Sequence, residues 1–299
     1  GKTKSKILQS FQASLAVNLV LFPVMLSFYY EFPPYSLLLN LVIIPLMSVV
    51  LGAGLLGSFL CLFFKPLGGL VFLLCRGILN LYEWSCNLSM KLPFSRIVTG
   101  KPEVSWIVLY YAVLLLVCLY WMLRKEKTGK TCFAWGMLAA AGICLAASGQ
   151  MKHHGVFQAT MLDVGQGESV ILTSGGETAL VDCGSSQQKT VGEKTLVPYL
   201  KSQGVAHLDL AVMTHGDQDH INGIRYLLEH PESGITVGGL MMPEAGTDEI
   251  YGTMAELAKK QGIPVFYAER GDIWKDFPGK GMKLECLSPD GETKFADRN

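Results

Sequence analysis

Apolar residues fall in long unbroken runs through the first half of the chain, and in short alternating blocks between turns through the second. A bilayer core of about 30 Å takes roughly 20 apolar residues in helix. Val104 to Leu123 supplies such a run without one charge, and is the clearest span. Thr131 to Ser148 is shorter and rich in Ala and Gly, which suits a helix packed closely on others. Ile7 to Tyr30 and Tyr35 to Phe64 are also long and apolar, but Pro23 and Pro45 interrupt them. Each proline removes a backbone donor, so each predicts a kink or a break, read either as part of a transport path or as a packing kink. Leu67 to Met90 carries Arg76, Asn80 and Glu83. This segment either crosses the membrane or lies along its surface. Arg76 and Glu83 are two turns apart on one face, so in a crossing helix they look into a bundle or a cavity.

The second half changes period. Val156 to Leu162 alternates as a strand does, and Val170 to Thr173 and Thr178 to Val181 read as a hairpin turning at Gly175 and Gly176. A helical stretch, Gly192 to Gln203, precedes an apolar strand, Leu208 to Thr214. After the sequence HGDQDH a helix starts near Ile221 and ends near His230. Strands at Ile235 to Met241, Val265 to Tyr267 and Met282 to Leu287 alternate with a helix from Thr247 to Gln261, which predicts a layered α/β domain.

Charge sharpens the division. The 299 residues balance 25 basic against 25 acidic side chains, but residues 1–150 hold 12 Lys and Arg against 4 Asp and Glu, and residues 151–299 hold 13 against 21. A basic apolar half and an acidic half imply two solvents. They exclude a single soluble domain, a disordered chain and a basic protein that coats nucleic acid. The expected domains are 1–150, a polytopic membrane region, and 151–299, an α/β domain outside the cytoplasm. With the N-terminus inside and all five segments crossing, the inner side holds Lys2, Lys4, Lys6, Lys65, Arg124, Lys125, Lys127 and Lys130, and the outer loop Lys91, Arg96 and Lys101. The RKEKTGK loop is the best anchor for that orientation. Gly1 in place of Met reads as the start of a fragment of a larger protein. Six of the eight cysteines lie in the apolar half; Cys183 and Cys286 are the pair able to form a disulfide outside the cytoplasm, and their spacing gives no reason to expect one.

His215, Asp217, Asp219 and His220 crowd into six residues. Imidazole nitrogens and carboxylate oxygens both ligate divalent cations, and alternation at 215, 217 and 219 sends side chains the same way from an extended loop. Two His and two Asp suffice to contribute to two neighbouring ions. The plainer reading is a solvated acidic turn capping the helix behind it. Asp163 and Asp182 read equally well as turn-forming aspartates. His207, His230 and the linker residues His153 and His154 are read as surface groups and not as ligands.

The order of strand, His215-Gly-Asp-Gln-Asp-His220 and helix resembles the metallo-β-lactamase superfamily. With DVGQGE at 163–168 and VDCG at 181–184, it looks like the outer domain of ComEC-type DNA-uptake (competence) proteins. The stretch from Ser14 to Gly57 resembles the later part of the channel region of the same proteins. The resemblance implies a membrane α-helical bundle followed by an α/β metallo-β-lactamase-like (αββα) domain, truncated at its C-terminus. It implies that His215 and Asp217 bind one ion and Asp219 and His220 the other. Asp219 would also orient an attacking water, and Asp163 would belong to the catalytic motif, whose last acid is here Glu168. Gly165 and Gly167 would let that loop fold tightly, Gln166 would donate to substrate, and Asp182 would brace a ligand histidine. The implied cofactors are two divalent ions, with Zn, Mn and Mg all in play because Asp217 stands where most of the superfamily has His.

The implied function is DNA uptake in natural transformation: a membrane channel for single-stranded DNA, with a metal-dependent nuclease that degrades the other strand. The partners are DNA, the lipid bilayer and other uptake proteins. An acidic domain does not attract nucleic acid by itself, which weighs against this reading. The alternatives are a membrane-tethered phosphoesterase or lactonase, and a channel whose outer domain is not catalytic.

Overall fold

In a computed structural model of the chain, residues 2–123, 131–149, 157–244, 249–274 and 282–288 are described. The chain divides into two compact units, residues 1–25 with 31–97 and residues 26–30 with 98–299. The RKEKTGK loop and the MKHHG linker with His153 and His154 lie outside the described residues.

The helical region consists of α1 (Lys2–Tyr29), α2 (Ser36–Phe63), α3 (Lys65–Met90), α4 (Val104–Leu123) and α5 (Thr131–Ser148). Two short strands stand between helices, β1 (Glu31–Phe32) and β2 (Ile97–Val98). Among the described residues three helices are long and apolar enough to cross a membrane, at Leu38–Phe63, Lys65–Met90 and Val104–Leu123; Ser14–Tyr29 and Trp135–Ser148 are shorter apolar helices. The expected bounds of α4 and α5 match the structure residue for residue. Neither proline breaks its helix: α1 runs on through Pro23 and α2 through Pro45. In lipid the remaining backbone groups have no water to turn to, so continuing the helix costs less than leaving it.

α2 and α3 form a hairpin. Gly68 is buried against Cys61, Val71 and Phe72 lie over Gly57, and the Tyr82 hydroxyl donates to the Ile43 carbonyl at 3.1 Å. In the other unit α4 packs along α5, with the rings of Trp121 and Trp135 6.4 Å apart. That hairpin brings Gly149 back onto Thr99 and Gly100 so closely that a side chain at Gly149 would run into their backbone. The Lys101 amide then donates to the Ser202 carbonyl at 2.8 Å. The loop before α4, the end of α5 and the sheet-containing domain therefore sit together.

That domain is built on one six-stranded sheet of β3 (Gln158–Met161), β4 (Ser169–Ser174), β5 (Glu177–Cys183), β7 (Leu210–Val212), β9 (Leu240–Pro243) and β10 (Val265–Ala268), in the order β10-β9-β7-β5-β4-β3. β3, β4 and β5 pair antiparallel; β5, β7, β9 and β10 pair parallel. Two ribbons flank it: β6 (His207–Leu208) with β8 (Thr236–Val237), and β11 (Ile273–Trp274) with β12 (Leu284–Glu285). A π-helical turn, Gly192–Leu196, leads into α6 (Val197–Ser202); α7 (Gln218–Glu229) and α8 (Glu249–Lys260) follow.

Period-two alternation gives the sheet two buried faces. Leu180, Ala211, Leu240 and Met242 join Ile224, Leu227 and Met254 of the helices in the main core. Ala179, Leu210, Val212, Met241, Phe266 and Trp274 form a smaller cluster on the other face. The expected architecture, a helical membrane-type region followed by a layered α/β domain, is what the chain adopts.

Several local expectations change. The strand expected over 208–214 is two, because at Asp209 the chain leaves the β6–β8 ribbon for the main sheet. Asp209 holds that crossing by accepting from the Thr178 amide at 2.7 Å and donating its own amide to the Thr178 carbonyl at 2.9 Å. The strand expected over 235–241 splits likewise at Gly238 and Gly239. α7 starts at Gln218, with Asp217 as its N-cap residue, so Asp219 and His220 belong to a helical turn and not to the extended loop that the alternation implied. β11 has no counterpart in the sequence reading. Cys183 and Cys286 are both free thiols.

Candidate metal centre

The site forms where β5 and β7 end side by side and α7 begins. Parallel pairing of Val181 with Val212 delivers Asp182 and Thr214 to the same sheet edge. Asp182 takes a left-handed backbone, φ +52°, which turns its carboxylate under the edge, where it is 1% exposed. There Oδ1 accepts from the Thr214 amide at 2.8 Å, and Oδ2 accepts from the Thr214 hydroxyl at 2.5 Å and from His220 Nδ1 at 2.9 Å. The Thr214 hydroxyl in turn lies 3.0 Å from His215 Nδ1.

A carboxylate at Asp182 only accepts, so the Thr214 hydroxyl donates to it and keeps its lone pairs for His215 Nδ1, while His220 Nδ1 faces the same carboxylate. With both Nδ1 atoms so engaged, each ring keeps its Nε2 for a second interaction. The rings sit 3.6 Å apart between centroids, and ligand-type atoms of Asp182, His215 and His220 all fall within 4.8 Å of one another. That proximity alone makes Asp182 look like a third ligand. Its hydrogen bonds are those expected of a brace, since both oxygens already accept from protein donors.

The remaining sequence candidates are distributed around this pair. Asp217 is 78% exposed in its side chain, with Oδ2 3.5 Å from His215 Nε2. Asp219 is half-buried; its carbonyl accepts from the Glu168 amide at 3.1 Å, and it lies outside the 4.8 Å group. Glu168 reaches to 3.9 Å from His220 Nδ1. Asp163 is exposed, and its Oδ1 accepts from the Gly165 amide at 3.3 Å, an Asx turn that opens the glycine loop. The Gln166 carbonyl accepts from the Ser186 amide at 2.8 Å, and its side chain is exposed. Gly167 and Gly184 are needed where they are: a side chain on either would strike the backbone of Asp219, and one on Gly184 that of His220 as well. His207 is exposed and bonded to Thr236, and His230 is half-buried at the end of α7 beside Glu232.

Thr214 is the site residue that the sequence reading missed. Its one signal was position, as the last residue of an apolar strand directly before a histidine. Behind the site, burial pushes the Cys183 thiol up to about 11; the Ser169 hydrogen bond lowers it and the Asp182 charge raises it further. Cys183 stays protonated and inert at neutral pH. In front, a largely apolar cavity of about 630 Å³ opens at Thr214 and His215, walled by Val212, Met241, Phe266 and Trp274.

The donor set fits a divalent cation. Two imidazoles, each engaged at Nδ1 by a polar neighbour, with carboxylates within a few ångströms and partial solvent access, are what such an ion requires.

Comparison with known proteins agrees with both regions. Residues 1–124 match the family described as Competence protein, and residues 162–274 match the Metallo-beta-lactamase superfamily. The chain is 25% identical over 324 aligned residues to ComE operon protein 3 of Bacillus subtilis (strain 168), covering all of this chain and 39% of that protein. It is 28% identical over 239 residues to Competence protein ComA of Neisseria gonorrhoeae, covering 80% of this chain and 31% of that one. The chain thus spans well under half the length of these relatives.

Proposed function

We propose, for a chain that joins a Competence protein region to a metallo-β-lactamase superfamily domain, that it works in DNA uptake, its helices forming part of a channel for single-stranded DNA and its α/β domain acting as a metal-dependent hydrolase. By sequence character the two domains divide near residue 150, a boundary inside the second compact unit. The observation that supports the hydrolase most is the relay from His215 through Thr214 and Asp182 to His220, which holds two imidazole rings beside each other.

In this reading His215 and His220 are metal ligands, joined by Asp217 and Asp219, and Asp182 is the brace. A pair of divalent ions, Zn or Mn with Mg also compatible, would activate water and stabilise the departing oxygen of a phosphodiester. The chain's own groups do the positioning. Asp182 holds His220 through a charge-assisted bond and stabilises any positive charge that the imidazole gains. Thr214 transmits the same hold to His215. Asp219, in the first turn of α7, is placed to accept a proton from the attacking water, and Asp163 shapes the loop that presents Gln166 to the substrate. Net negative charge on the domain disfavours a polyanion, so attraction depends on the bound cations.

The α4–α5 hairpin supports an orientation. It returns the chain to the side of Lys101, while Arg124, Lys125, Lys127 and Lys130 lie between the two helices in sequence. By the distribution of basic residues the α/β domain is extracytoplasmic.

The test uses the full-length protein. With manganese or zinc it should cleave DNA, and Asp217→Ala combined with Asp219→Ala should abolish cleavage and degradation of the non-transported strand. Unchanged DNA cleavage and transformation in the double variant would refute the catalytic role. Cleavage of small phosphate esters or lactones without any effect on transformation would establish a tethered hydrolase instead.

A further inference from the structure

Rotation separates α3 into three faces. At about 100° per residue, Gly68, Val71, Cys75 and Tyr82 share one side, and that side meets α2. Leu70, Leu74, Leu81 and Leu88 form a second side, each 46 to 66% exposed, as expected of a surface against lipid. Between these, Lys65, Gly69, Arg76, Asn80, Glu83 and Asn87 fall within an arc of about 60°, and all six are exposed.

The stripe is long. From Lys65 to Asn87 the helix rises about 33 Å, against a hydrocarbon core of about 30 Å. Arg76 and Asn80 lie about 16 and 22 Å along it, near mid-depth, too far in for an arginine to reach either surface unaided. Charged and amide groups at that depth face water or protein, never lipid tails. The helix is also apolar enough elsewhere to cross.

We infer that this stripe is one wall of a water-filled passage through the membrane. The nature of its solute, a single nucleic acid strand, rests on the function proposed above; the presence of water does not. Two cations, one anion and two amides along the wall suit a polyanion that must move. They attract it at intervals and offer no deep site to hold it.

Gly69 and Gly77 provide a matched test. Both have open space where a Cβ would go, but Gly69 is in the stripe and Gly77 on the apolar side. In the full-length protein in its membrane, with native cysteines replaced, single cysteines at positions 69, 77, 80 and 87 are treated with a membrane-impermeant thiol reagent. Asn80→Cys and Asn87→Cys should label from outside in intact cells, and Gly69→Cys from the opposite side in inverted vesicles. Gly77→Cys should label from neither. Asn80→Cys shielded from both sides would overturn the inference, because protein then covers the stripe. Labelling of Gly69→Cys and Asn87→Cys from the same side would overturn it too, because the helix then lies along the surface. Labelling as expected, with DNA uptake unaffected when Asn80→Cys is blocked, keeps the passage and removes DNA as its solute.

Discussion

In α4, Leu115 and Leu116 are 61 and 62% exposed, whereas Leu180 of β5 and Leu227 of α7 are 0 and 1% exposed. The same side chain is turned outward in one region and inward in the other. An outward leucine on a charge-free helix is stable only where the surroundings are themselves apolar, so the two regions were shaped by different solvents. The region with the inward core is also the one able to hold a polar site, because a packed sheet edge brings Asp182 and Thr214 together and ties His220 to them. Along α3 of the helical region Arg76, Asn80, Glu83 and Asn87 are exposed instead.

Leu180→Ala should destabilise the α/β domain by about 2–5 kcal/mol, while Leu116→Ala should change stability by no more than about 0.5 kcal/mol. Thermal unfolding of the full-length protein in detergent measures both. A large loss from Leu116→Ala would mean that this face of α4 packs against protein and not lipid. A smaller effect sharpens the contrast at the site. Thr214→Val keeps the side chain's shape and removes its hydroxyl, so metal affinity should fall about 10–100-fold with the fold intact. Thr214→Ser should restore it. Metal titration followed by circular dichroism checks this, and unchanged affinity in the valine variant would remove Thr214 from the relay.

Legibility in the sequence also differed between the regions. Helix bounds at 104–123 and 131–148 were read without error, since an uninterrupted apolar run leaves a helix no competitor in lipid. The resemblance to ComEC-type proteins, carried by DVGQGE, VDCG and HGDQDH, is borne out by both family matches and both relatives. What escaped depends on tertiary pairing. The break at Asp209 is fixed by Thr178, thirty-one residues away in the chain, and no local pattern announces it. The start of α7 was placed too late because Asp217, an aspartate suited to an N-cap, was read as part of an extended ligand loop. Thr214 was overlooked because its partner, Asp182, is brought to it by the parallel pairing of β5 with β7.

If two braced imidazoles hold a divalent cation, elemental analysis of the purified full-length protein should find it. A stoichiometric divalent metal is expected, and it should be lost when His215 and His220 are both replaced by Ala. Protein that is folded and free of bound metal, even after incubation with zinc and manganese, would contradict the account.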